Sequence, residues 1–352
     1  MGSRKNFKAK YLDFEHPPAP RTLAVADAVL LAVILICYAL VQHVLPSRFI
    51  QTRLSQLASK NEPVAVAVPV TSPAPASVST PAPKRPEDMT PEERFAAKFS
   101  DTVQVTVNSY KSPDISVEIS EREFYNEQNE IQHCYIADIY VADVHSLQTY
   151  VHENDMYGEC GDSMVNLSAY SGSIVALNGD YAMTTSSGVI IRNGKVLRDK
   201  PSTSEICILY EDGTVQCLSG DEYDSEAVQK KGAWQAWTFG PSLLDSRGKA
   251  RGSYPSTYGN LLENNPRSIF GYYEPGHYCL IAIDGRRFGY AIGLDMDATA
   301  ALVESLGCKL AFNLDGGRST QMTFFSQMIN DPYKQGRYVG DIILVKEPEE
   351  IP

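Results

Sequence analysis

Tyr278, Cys279, Leu280, Ile281, Ala282 and Ile283 form an unbroken apolar run that stops at Asp284-Gly285-Arg286-Arg287. A short run with no polar alternation, closed by a turn, reads as a strand covered on both faces. Lys309 to Leu314 repeats the pattern and opens into Asp315-Gly316-Gly317-Arg318. Between the two runs Asp295 is placed to cap a helix. Its expected apolar face is Ala298, Ala301, Leu302 and Leu306, with Gly307 as the stop. If these segments make a strand-helix-strand crossover, the strands are parallel and both turns leave the same sheet edge. A return of Phe288 to Ile292 as an antiparallel strand would instead put the turns at opposite edges. Convergence is the expectation.

Strand signals continue upstream of this pair. Thr102 to Val107 and Ile115 to Ile119 alternate at period two, Cys134 to Val141 is a further run, and Ser173 to Leu177 is short and apolar. Val189 to Leu197 folds about Asn193-Gly194, and Ile206 to Leu218 about Asp212-Gly213, both dipeptides suited to the positive φ angles of hairpin turns. Ile342 to Val345 closes the pattern. The predicted class is α+β: a mixed, largely antiparallel β-sheet domain with a few helices, at residues 94–352.

The chain before this domain has a different composition. Residues 23–45 are predominantly apolar with one charged residue, Asp27, and are long enough to span a bilayer as a helix. Arg4, Lys5, Lys8, Lys10 and Arg21 precede the stretch, so residues 1–22 are expected in the cytoplasm and the bulk of the chain outside it. A cleaved signal peptide is the rival reading, but its apolar region would be shorter and followed by a small-x-small site. A buried core helix fits the basic flank poorly. Residues 46–93, richest in Pro, Ala, Val, Ser and Thr from 59 onward, read as an extended extracytoplasmic stalk. Its end, Thr90-Pro91-Glu92-Glu93, carries a helix start, with Thr90 as N-cap and Pro91 in the first turn. The expected setting is a single-pass membrane protein of a bacterial cell envelope.

The 352 residues carry a formal net charge of -12, of which residues up to 58 contribute +4 and the remainder -16. A folded part this acidic argues against nucleic acid as a partner, because phosphate would be repelled. Cys37 lies in the apolar stretch. Cys134, Cys160, Cys207, Cys217, Cys279 and Cys308 are expected outside the cytoplasm, where disulfides form. Cys207 and Cys217 flank a hairpin turn and are the one pair that spacing suggests; six buried free thiols is the other reading. No Cys-x-x-Cys pattern or Cys/His cluster points to structural zinc.

Three polar glycine turns follow apolar runs: Asn178-Gly179-Asp180-Tyr181, Asp284-Gly285-Arg286-Arg287, and Asn313 to Thr320. Each puts a carboxylate at a strand end, with glycine letting backbone amides approach an anion. Single Asp-Gly or Asn-Gly pairs are ordinary turn chemistry. The third turn is richer than a turn requires, with two glycines, an arginine and two hydroxyls in eight residues.

Asn313 to Thr320 resembles the Asn-Leu-Asp-Gly-Gly-Gly-Ser-Ser signature of the phosphodiester glycosidase family. That family includes the enzyme that uncovers mannose 6-phosphate by removing N-acetylglucosamine, and bacterial proteins linked to exopolysaccharide. Tyr135 to Val141, Ala176 to Tyr181, Phe239 to Leu244, Pro266-Arg267-Ser268, Leu280 to Arg286 and Gly336-Arg337 are similar to further family segments in order. Arg318 stands where the family has its third glycine, and Thr320 where it has its second serine.

The resemblance implies hydrolysis of the bond between an anomeric carbon and a phosphate oxygen, in a sugar-1-phosphodiester of a cell-envelope glycan. Phosphate leaves more easily than a sugar alcohol, so the site needs a carboxylate to attack or activate water, and donors to hold the phosphate. Asp315 and Asp284 are the carboxylate candidates, with Asp180 third. Arg267, Arg286, Arg318 and the Gly316-Gly317 amides are candidate phosphate holders. Asn178, Gly179, Tyr181, Asn313 and Ser319 complete the candidate substrate contacts. A divalent cation bridging carboxylates and phosphate is compatible with this set, with its ligands unassigned. The alternative is a non-catalytic wall-glycan binding or assembly protein using the same cleft. A Ser or Cys hydrolase is disfavoured, because His133, His145, His152 and His277 accompany no nucleophile-elbow motif.

Overall fold

A computed structural model describes residues 84–85, 88–126, 129–152, 161–182 and 185–348. The expected tail, membrane segment and most of the stalk, with Cys37 and Cys160, lie outside the described residues. Among the described residues no helix is long and apolar enough to cross a membrane.

The strands, in chain order, are β1 (Gln104–Val105), β2 (Ser109–Lys111), β3 (Ile115–Tyr125), β4 (Ile131–Val141), β5 (Leu147–Val151), β6 (Val175–Asn178), β7 (Gly188–Arg192), β8 (Lys195–Lys200) and β9 (Glu205–Tyr210). They continue with β10 (Val215–Leu218), β11 (Ala233–Phe239), β12 (Arg267–Glu274), β13 (His277–Ile283), β14 (Leu310–Asn313), β15 (Met322–Phe324), β16 (Gln327–Met328) and β17 (Asp341–Val345). The α-helices are α1 (Pro91–Arg94), α2 (Met164–Ser171), α3 (Ser225–Lys230) and α4 (Met296–Ser305). A seven-stranded sheet runs β1-β2-β3-β4-β13-β12-β14, and two five-stranded sheets run β10-β9-β11-β7-β8 and β16-β15-β6-β17-β5.

One core lies among the three sheets. The seven-stranded sheet contributes Val117, Ile139, Phe270, Leu280 and Phe312, and the other two contribute Leu177, Ile343, Leu209 and Trp237. The opposite face of the seven-stranded sheet is also covered. Ile136, Ile269, Ile281 and Ile283 pack there with Met296, Ala300 and Val303 of α4. Cover on both faces is why β13 reads as an unbroken apolar run.

Every ladder among the described strands is antiparallel, which replaces the mixed sheet expected. β13 and β14 do point the same way, but β12 lies between them and pairs antiparallel with both. Phe288 to Ile292 forms no strand; a single Arg287–Ala291 bridge closes that turn, and Phe288 is exposed. The two turns therefore leave the same edge of the sheet.

Local chemistry settles several element ends. Thr90 and Glu93 form a reciprocal capping box with Pro91 in the first turn, as the sequence predicts. Asp295 caps α4 by accepting from the Ala298 amide. The buried face of α4 is Met296, Thr299, Ala300 and Val303; Ala301 is exposed and Leu302 and Leu306 are only half-buried, so the predicted stripe is rotated. Asn193 and Gly194 both take positive φ in the β7-β8 turn, as Asn-Gly predicts. Thr102 to Val107 yields only the two-residue β1, because it sits at a sheet edge with Val107 in solvent.

The disulfide expectation is corrected. Cys207 and Cys217 are directly opposite in the β9-β10 ladder, as the hairpin predicts, but Cys134, Cys207, Cys217, Cys279 and Cys308 are all free thiols. Cys279 and Cys308 face each other with sulfurs 3.9 Å apart, too far for the bond of about 2.05 Å.

Candidate active site

Asp315 sits just past β14, in the turn that ends a strand buried between sheets. Its carboxylate is mostly buried but reaches the surface of a cleft with two adjoining chambers. The smaller chamber, about 180 Å³, is lined by Asn178, Gly179, Tyr181, Asp315, Ser319 and Asp341 among others. The larger, about 420 Å³, includes Arg267, Arg286, Asn313, Gly316, Gly317 and Arg318. Tyr181, Asp315 and Arg337 line both. All ten substrate-contact candidates thus line one chamber or the other.

The turns are joined by specific contacts. Asn178 donates to the Asp315 carbonyl at 2.7 Å and to the Gly179 carbonyl at 3.1 Å. Its Oδ1 accepts from Ser268 Oγ at 2.7 Å and the Gln321 amide at 3.3 Å. Both ends of this amide are therefore occupied, and Asn178 positions the Asp315 backbone. Asn313 differs. Its Nδ2 donates to the Gly240 carbonyl at 2.9 Å, while its buried Oδ1 has no partner. An unpaired buried acceptor is costly, so Oδ1 is a ready acceptor for a ligand hydroxyl.

Two donors meet Asp315 Oδ2: Ser319 Oγ at 2.5 Å and Arg337 Nη2 at 2.6 Å. Arg337 Nε also donates to Ser319 Oγ at 2.5 Å, and its guanidinium lies over the Tyr181 ring at 4.9 Å. Burial raises the Asp315 pKa above the ordinary carboxylate value, against Arg337 and Ser319, which lower it; the Asp341 charge also raises it.

The arginines of the larger chamber have a different environment. Arg267 is buried, donating through Nε to the Leu294 carbonyl at 3.0 Å and through Nη2 to the Glu263 carbonyl at 2.5 Å. Burial lowers its pKa to about 10. Arg286 donates to Asn265 Oδ1 through Nε at 3.0 Å and Nη2 at 2.6 Å, and Arg318 donates to the Gly336 carbonyl at 2.8 Å. None of the three forms an ion pair with a described carboxylate. Gly317, at φ +64°, lies against Arg286, whose Nη1 would be 3.0 Å from an added Cβ. Glycine there lets the third turn close onto the second. The Gly317 amide is already given to the Pro266 carbonyl at 3.0 Å, so it is not the free phosphate donor expected.

The other two carboxylate candidates do not line the cleft. Asp284 is buried and accepts from Asn330 Nδ2 at 2.8 Å, Tyr290 Oη at 2.8 Å and the Asp331 amide at 2.9 Å. It ties the segment after β16 to the end of β13, with both carboxylate oxygens accepting from donors. Asp180 is equally buried, accepting from Arg192 Nη2 at 2.7 Å and the Thr238 amide at 2.7 Å. Burial raises its pKa, with Arg192 opposing.

Asp341 and Arg337 also line the smaller chamber, and no turn motif in the sequence marks them. Asp341 opens β17, where a lone acid before an apolar strand looks like a solvated end. Arg337 stands out in sequence only as part of the closing Gly336-Arg337 segment. Arg192 binds Asp341 through Nε at 3.1 Å and Nη2 at 2.8 Å, and so supports this wall from β7.

The phosphodiester glycosidase family model matches residues 171–346, half of the chain, and the chain belongs to that family. Its relatives are distant. The SPbeta prophage-derived uncharacterized protein YomE of Bacillus subtilis strain 168 is 27% identical over 197 residues, which cover 54% of this chain and 30% of that protein. The match thus spans under a third of that relative's length. The zebrafish N-acetylglucosamine-1-phosphodiester alpha-N-acetylglucosaminidase catalytic domain, auto-inhibited by its pro-peptide, is 18% identical with a TM-score of 0.53, covering 70% of this chain and 88% of that one. That likeness is one of fold. β3 and β4 precede the family match yet pair into the same sheet through β13, so the folded unit begins well before residue 171.

Proposed function

We propose that the chain hydrolyses a sugar-1-phosphodiester, breaking the bond between the anomeric carbon and the phosphate oxygen. The observation that carries this reading is the division of the cleft. A carboxylate stands at the junction of its chambers, and the larger one is lined by three arginines that form no ion pair with a carboxylate among the described residues. A cationic wall suits a phosphate diester, which carries one negative charge and gains a second as the C–O bond breaks.

In this reading the diester lies against Arg286 and Arg318, with the buried charge of Arg267 behind. A sugar hydroxyl donates to Asn313 Oδ1. Asp315 Oδ2 is held by Ser319 and Arg337, which leaves Oδ1 for the reacting water. Water oxygen bonds to the anomeric carbon, its proton passes to Asp315, and the C–O electron pair leaves with the phosphate. The proton then passes to the released phosphomonoester dianion, giving its monoanion, or returns to solvent. Burial makes the carboxylate more basic, which favours this proton transfer. The substrate is expected to belong to a cell-envelope or exopolysaccharide glycan, presented to a domain held outside the cytoplasm by residues 23–45.

Asp315→Ala should lower turnover of a sugar-1-phosphodiester by about 10⁴-fold or more while the thermal transition is retained. The assay is release of free sugar and a phosphomonoester. Wild-type turnover in that variant ends the assignment of Asp315. An intact diester retained by wild-type protein would instead identify a glycan-binding protein.

A further inference from the structure

We propose a divalent metal site of the zinc class, made by Glu121, Glu123 and His133 near the turn of the β3-β4 hairpin. None of the three lines the cleft. Glu123 is directly opposite His133 in the ladder and Glu121 is opposite Tyr135, so the three side chains share one face. Their ligand atoms lie within 4.8 Å of one another.

The imidazole separates this cluster from a chance pair of surface acids. The His133 side chain is nine-tenths buried, with 10% of its surface exposed, and its Nδ1 has no hydrogen-bond partner. Nδ1 lies 3.4 Å from Glu121 Oε1 and 3.6 Å from Glu123 Oε1. Two ligands bonded to one tetrahedral ion at about 2.0–2.1 Å stand about 3.3 Å apart, so the spacing suits a shared ion better than a direct hydrogen bond. The ring is also fixed in place. It stacks on Tyr290 at 4.3 Å with an interplanar angle of 11°, and Tyr290 is held in turn by Asp284. A locked ligand ring loses little freedom on binding an ion.

The donor set selects the ion. One imidazole and two carboxylates match a borderline divalent cation, where calcium or magnesium would favour oxygen alone. Both glutamates are half-exposed, which leaves room for solvent to complete the coordination. Bound there, the ion relieves the repulsion of two carboxylates on one face and clamps β3 to β4.

The test is calorimetric titration of zinc into the full chain after removal of metal with a chelator. Wild-type protein should take up one zinc ion that is lost from Glu121→Gln/Glu123→Gln. That double variant keeps the shape of the hairpin. His133→Ala should weaken the same uptake by at least about 100-fold. X-ray absorption of the bound zinc should show nitrogen and oxygen neighbours at about 2.0–2.1 Å and no sulfur. No saturable zinc uptake by wild type, sulfur ligation, or undiminished uptake by the double glutamine variant would each overturn the proposal. Turnover plays no part in the readout, so the hydrolase reading stands or falls separately.

Discussion

At Asp315 two donors act on one carboxylate oxygen, and their contributions oppose that of burial. Arg337 favours the ionised form, so its loss must move the carboxylate upward. In Arg337→Gln the acid limb of the kcat/KM profile should therefore shift to higher pH. A limb that stays in place or moves down would mean that Asp315 is not the titrating base. The residue scale also shows what a motif hides. Asn178, Asp284 and Asn313 look alike in sequence as polar groups at strand ends. Packing has saturated Asn178 and enclosed Asp284, and it has left Asn313 Oδ1 unpaired.

Arg192 shows how elements are joined. It belongs to β7 and is buried, yet it binds Asp341 at the start of β17 and Asp180 in the turn after β6, and donates to the Ala236 carbonyl of β11. One guanidinium thereby fastens two sheets beside the smaller chamber. Removing the cation leaves two buried carboxylates facing each other, and breaking such pairs costs about 3–5 kcal/mol. Arg192→Met should lose stability of that order near neutral pH, read from denaturant unfolding. Asp180 is already pushed up to about 6 by burial with Arg192 opposing, so without the arginine its folded pKa rises further. The loss should therefore be full above that raised value and shrink as pH falls towards about 6, where Asp180 is protonated with or without the arginine. A loss independent of pH would mean that the arginine contributes by packing alone. Gly179 belongs to the same wall: an added Cβ would stand 2.2 Å from Asp341 Oδ1.

Over the whole molecule the charge is -12, while the cleft gathers Arg267, Arg286, Arg318 and Arg337. The net negative charge opposes an anion at long range, while the cleft concentrates a positive local field that a single phosphate can meet. Salt screens partly exposed arginines, so KM for a phosphodiester should rise with ionic strength while the thermal transition moves little. Arg286→Gln should raise KM about 10-fold and flatten that salt dependence. Unchanged KM in this variant would remove Arg286 from the phosphate wall. Period and turn chemistry made the sheet-rich class, the Asn193-Gly194 hairpin, the Thr90 and Asp295 caps and the shared edge of the two turns legible from sequence. Those features depend on neighbours a few residues apart, or on which faces of a strand are covered. Which carboxylate meets the cleft was decided only by tertiary packing. Asp180, Asp284, Asp315 and Asp341 all lie at strand ends, and they differ in partners brought from distant segments: Arg192, Asn330 and Arg337. The same holds for the free thiols and for the His133 cluster, because a local pattern does not encode distances across a ladder or the burial of one ring.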